Sequence, residues 1–145
     1  MARAAWWVGA VLRFVLLPML GVAAVSWWLI GDTSTGGTDY IVQVPTLQDH
    51  PARVGAVGIV LLVVFALDLT WTQPIPFRRY AVAVLPPVLL GGIGAAYAGR
   101  VVTAHVYGAN IGGGGAMLFG PIALIGMIAW ASATFAISRR RASVA

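Results

Sequence analysis

Residues Val54 to Trp71 read VGAVGIVLLVVFALDLTW, and Asp68 is the single charged side chain among them. A run of this length is close to the ~20 residues a helix needs to cross a hydrocarbon core ~30 Å thick. Apolar and polar residues do not alternate in it, so it does not read as a strand of a membrane barrel. Lipid offers no partner to an open backbone, which leaves the helix as the spanning form.

Three further runs of the same kind lie around it: about 14–30, 80–99 and 116–137. The fold class expected is therefore an all-α integral membrane protein. It forms a single domain over residues 1–145, a four-transmembrane-helix bundle with two longer outer loops. Composition agrees. Of the 145 residues, 60% are apolar and 9% charged, and the mean hydropathy is +0.91. A soluble domain carries about 25% charge and could not hide this much apolar surface at this size. A disordered chain needs the opposite composition.

The charges are nine Arg and four Asp, with no Lys or Glu, for a net charge of +5. Arg without Lys, beside abundant Ala, Val and Gly, fits a GC-rich bacterial genome, a hypothesis that codon composition tests. Nucleic-acid binding calls for a clustered basic patch with a base-reading element. Here the arginines stand at the ends of apolar runs, so no nucleic-acid partner is expected. Placing both termini in the cytoplasm puts Arg3, Arg13, Arg78, Arg79, Arg139, Arg140 and Arg141 inside, and only Arg53 and Arg100 outside. That bias is the positive-inside pattern. It predicts a multi-pass protein of a bacterial plasma membrane, N-in and C-in. Trp6, Trp7 and Trp71 then fall near the inner interface, and Trp27 and Trp28 near the outer one. The first run continues through Val22-Ala23-Ala24 into Ser26-Trp27-Trp28, a poor cleavage region, so it is expected to stay as a helix.

The inner connection Thr72–Arg79 is short and stiffened by Pro74 and Pro76. The outer loops are longer. Gly31–Arg53 opens on a breaker-rich stretch and continues into Tyr40-Ile41-Val42-Gln43-Val44, an extended or surface-lying segment. Arg100–Gly115 ends on four consecutive glycines and is expected to be a flexible lead into the last helix. A faint repeat links Arg13-Phe14, Pro18 and Gly21 with Arg79-Tyr80, Pro86 and Gly91; its unequal spacings read as coincidence between apolar helices.

Helix packing has the clearest signal. Gly91, Ala95 and Gly99 make one small face of the third run, broadened by Gly92 and Ala96 and by Gly94 and Ala98, and Gly126, Ala129, Ala133 and Ala136 make a comparable stripe on the fourth. Small residues let backbones approach closely where no hydrophobic driving force acts between helices. Of these, Gly91, Ala95, Gly99, Gly126, Ala129 and Ala133 are the expected helix-packing or partner-docking positions. Pro18 and the Pro86-Pro87 pair fall inside runs and are expected to kink them.

Asp68 is the one acid within a span. An intramembrane carboxylate is costly and is by default a functional candidate. Its position within a turn of Trp71 lets it reach interfacial water or pair with Arg78 or Arg79, which favours a structural ion pair or a capping role over proton coupling at mid-membrane. His50 and His105 fall in the outer loops without metal-ligand spacing, so no metal is expected. The glycine run has no Lys and no preceding strand, so it is no phosphate loop. With no Cys, Glu or Lys, and no nucleophile beside a base, an enzyme is not expected. No haem or other cofactor is expected either. The functional expectation is a non-catalytic accessory subunit of a larger envelope transport or respiratory complex. It would contact the lipid bilayer and other membrane subunits or copies of itself. The alternative is a small homo-oligomeric transporter or channel.

Overall fold

The computed structural model describes residues 8–32, 50–72, 82–104 and 111–142, and the described part of each of the four predicted runs is helical. Helix α1 spans Val8–Ile30, α2 Pro51–Thr72, α3 Leu85–Thr103 and α4 Ile111–Ala142. Each is long and apolar enough to cross a membrane.

The helices run past the apolar stretches at several ends. Helix α1 starts six residues before Phe14 and includes Arg13. Helix α3 continues past Gly99 to Thr103, so Arg100, expected in an outer loop, stands in its last turn. Gly112 to Gly115, expected as a flexible lead, are the opening turns of α4. Hydropathy marks where a helix sits in lipid; its backbone hydrogen bonds carry it further, until a breaker intervenes.

Two of the prolines also differ from the expectation. Pro86 and Pro87 do not kink a helix interior. They stand in the first turn of α3, behind a 3-10 turn at Val82–Val84, where a missing N–H costs nothing. Pro18 follows a π-helical turn at Leu12–Leu16. Because Pro18 has no N–H to donate, the preceding turn accommodates the gap by widening. A further proline, Pro121, lies within α4.

Helix α1 packs against both α2 and α3. Helix α4 lies along α3 and meets α1 at the π-helical turn. The α1–α2 crossing is built on glycine. A Cβ on Gly58 would fall 2.8 Å from the Gly21 carbonyl oxygen and 2.8 Å from the Val25 nitrogen. One on Gly55 would strike the Trp28 ring at 2.6 Å. The α1–α3 crossing uses Gly91 against Met19 and Gly92 against Val22. The main core lies toward the Arg13 end of the molecule. It joins Ala10, Phe14, Val15 and Met19 of α1 to Val84 and Val88, and to Ala131 and Phe135 of α4. Phe14 and Phe135 stack with centroids 5.2 Å apart, and Phe65 of α2 meets Phe14 edge-on at 6.5 Å. Outward faces carry large apolar side chains, such as Val60, Val63 and Val64 of α2 and Leu118, Ile122 and Ile125 of α4. In water that surface would aggregate; in lipid it is the solvated surface.

Candidate functional site

The intramembrane carboxylate is tied to another helix. Asp68 lies one turn before the end of α2 and meets Arg13, from the π-helical turn of α1, in a two-pronged contact. Nε of Arg13 donates to one carboxylate oxygen and Nη2 to the other. Thr72, four residues on from Asp68, completes the cluster. Its hydroxyl donates within the helix, lying 2.7 Å from the Asp68 carbonyl and 2.9 Å from the carboxylate, and accepts from Arg13 at 3.2 Å. The Asp68 side chain is 14% exposed and that of Arg13 48%. The carboxylate is thus covered while the cation reaches outward. The fork geometry of guanidinium matches a carboxylate well, and pairing together with the Thr72 hydroxyl offsets part of the cost of covering a charge. The ion pair expected for Asp68 is present, but its partner is Arg13. Arg78 and Arg79 lie outside the described residues. Neighbours in sequence were the natural candidates; the crossing of α1 over α2 brings in a residue 55 positions away.

At the opposite end of the helices a second arginine bridges two elements. Arg100 is 5% exposed. Its Nε and Nη2 donate to the Trp27 carbonyl at 2.9 and 2.7 Å, and its guanidinium lies 4.4 Å from the Trp27 ring centroid. That carbonyl belongs to the last turn of α1, where helix carbonyls lack regular partners. Arg100 therefore caps α1 from α3 and places positive charge at the negative end of the α1 dipole. Asp32, just past the end of α1, adds a favourable Coulomb interaction. Gly99 makes room for the Trp27 ring, since a Cβ there would approach it to 2.6 Å. The Trp27 Nε1 atom is buried without a hydrogen-bond partner among the described residues.

The small-residue positions separate into two groups. Gly91 packs on Met19 and Met127, Gly99 on Trp27, and Ala95 is half-buried. Gly126, Ala129 and Ala133 are exposed, and a Cβ on Gly126 would meet nothing within 4 Å. What α4 turns inward is Leu124, Met127, Ile128, Ala131 and Phe135. The stripe faces outward with Ile122, Ile125, Trp130 and Ile137.

Of the histidines, His50 is exposed and its carbonyl accepts from the amides of Arg53 and Val54, opening α2. His105, Trp6, Trp7 and the Tyr40–Val44 stretch lie outside the described residues. Among the described residues no three His, Cys, Asp or Glu side chains gather as metal ligands would. Sequence reading did not single out Gly55 and Gly58, or the burial of Arg100. The first two carried a signal in the sequence: small residues three apart within one apolar run. The chain matches no protein-family model, no curated protein and no solved structure.

Proposed function

We propose that the chain is a non-catalytic integral membrane subunit that docks a transmembrane helix of a partner subunit through the outward face of α4. The observation carrying this reading is that Gly126, Ala129 and Ala133 form a continuous small stripe turned away from the chain's own helices, between large apolar residues. Small-residue stripes are how helices approach closely in lipid. The engagement of Asp68 by Arg13 and Thr72 adds support. A carboxylate held in a fork at a helix end is suited to fastening two helices together, whereas a coupling acid must exchange its proton or ligand. The partner is placed in an envelope transport or respiratory complex. Both termini and the Arg13 end are placed in the cytoplasm of a bacterial cell, following the arginine bias. Docking acts by mass action, favouring the assembled state of the partner.

The test is mild-detergent purification from native membranes, with the native mass of the eluted species measured for wild type and for Gly126→Leu/Ala133→Leu. A stoichiometric hetero-complex that the double variant loses supports the reading. A discrete homo-oligomer that carries flux, abolished by Asp68→Asn, overturns it in favour of a small transporter or channel.

A further inference from the structure

We propose that the Arg13 end of α1 is a binding site for one anionic phospholipid, with the headgroup phosphate on Arg13 and an acyl chain in the adjoining groove. Three features meet on this segment. The first is the guanidinium itself. Asp68 and Thr72 engage Nε and Nη2, so the fork is oriented from one side and Nη1 has no hydrogen-bond partner among the described residues. The side chain is still 48% exposed, although the carboxylate that holds it is covered. A planar guanidinium fixed in this way offers a preorganised donor edge, and phosphate oxygens are its best-matched acceptors.

The second feature is an apolar groove of about 310 Å³ lined by Val8, Val11, Leu12 and Leu16. These residues recur at helical spacing along one face of α1, and Leu12 immediately precedes Arg13. The groove and the arginine therefore share one stretch of α1, residues 8–16, with Arg13 on the side turned to Asp68 and the four groove residues beside it. A free anion would use only the arginine. A diacyl lipid bearing negative charge uses both.

The third is depth and charge. Phe14 stacks on Phe135, which sets the Arg13 backbone three residues' rise, roughly 4.5 Å, nearer the membrane middle than that of Arg139 on α4. From that level a long arginine side chain reaches up to the headgroup zone while its stem lies along apolar surface. Trp71, next to this cluster at the end of α2, is 80% exposed, as suits an interfacial aromatic. Arg139, Arg140 and Arg141 end α4 on the same side of the membrane, so the local field favours an anion over a zwitterion.

The experiment is native mass spectrometry of the full chain, purified and then supplied with equal amounts of phosphatidylglycerol and phosphatidylcholine. Wild type should retain phosphatidylglycerol preferentially. Arg13→Gln should cut that preference about fivefold, the effect of one cationic contact near the surface. Leu12→Trp, which fills the groove and leaves the Arg13–Asp68 pair in place, should lower retention as well. It decides the matter if Arg13→Gln does not fold. Equal retention of the two lipids by wild type overturns the proposal, as does retention unchanged in both variants. Loss of preference in an Arg139, Arg140 and Arg141 to Gln triple variant but not in Arg13→Gln also overturns it, since the α4 arginines would then be the site. Displacement of the lipid by millimolar inorganic phosphate overturns it in favour of a simple anion site.

Discussion

Arg13 and Arg100 do opposite things with the same side chain. Arg13 neutralises a carboxylate and keeps one edge exposed. Arg100 is enclosed and gives its donors to a main-chain carbonyl and its face to an indole. The second arrangement makes a sharp prediction. Arg100→Ala strips two charge-assisted hydrogen bonds from the Trp27 carbonyl and removes the cation over its ring. Hydrogen bonds to charged groups are worth roughly 1.5–3 kcal/mol, so the thermal midpoint in detergent should fall clearly. Arg100→Lys keeps the charge but not the fork, and should recover only part of the loss. Tryptophan fluorescence should shift in the Ala variant as the Trp27 environment loosens. A midpoint within error of wild type in Arg100→Ala would show that the contact contributes no net stability.

At the scale of elements, glycine at a crossing differs from glycine on a free face. Gly58 sits where α1 and α2 almost touch through their backbones, and any Cβ must push the Gly21 carbonyl or the Val25 amide. Backbone atoms cannot yield as a flexible side chain does. Gly58→Ala should therefore destabilise by roughly 1–3 kcal/mol, the range for overpacking. Gly126 has open space around it. Gly126→Ala should leave the isolated chain unharmed or raise its stability by about 0.5–1 kcal/mol, the helix gain of Ala over Gly. Thermal unfolding of the two variants, side by side in one detergent, checks the pair of signs; equal effects would mean that the two faces are not distinct. The stripe containing Gly126 was legible in the sequence as small residues at helical spacing. Its outward direction was not, because α4 offers small residues on more than one side and Ala131 takes the buried place.

For the whole molecule, the alternation of helix direction puts Arg13, Asp68, Thr72 and the α4 arginines at one end, and Trp27, Asp32 and Arg100 at the other. The expected orientation places the first end in the cytoplasm. The chain has no Cys, so a single Ser143→Cys reports cleanly. It should react with a membrane-impermeant maleimide in inside-out vesicles and not in intact spheroplasts. The reverse pattern would invert the assignment.

The sequence by itself determined that the chain forms four apolar helices, each long enough to cross a membrane. This follows from local quantities: run length against bilayer thickness, and the lack of any partner for an open backbone in lipid. It also marked Asp68 as a residue needing a partner, because burial cost depends on the group and not on the fold. Only the tertiary structure decided which partner, since Arg13 reaches Asp68 only through the glycine-lined crossing of α1 and α2. The same holds for Arg100. Its place after Gly99 reads as a helix end, while its burial depends on Trp27 arriving from another helix. Pairings of this kind depend on crossing angle and rotation about each helix axis, and in an almost uniformly apolar chain no hydrophobic face fixes that rotation in advance. Close backbone approach at a few glycines fixes it instead, and those contacts exist only once the helices have met.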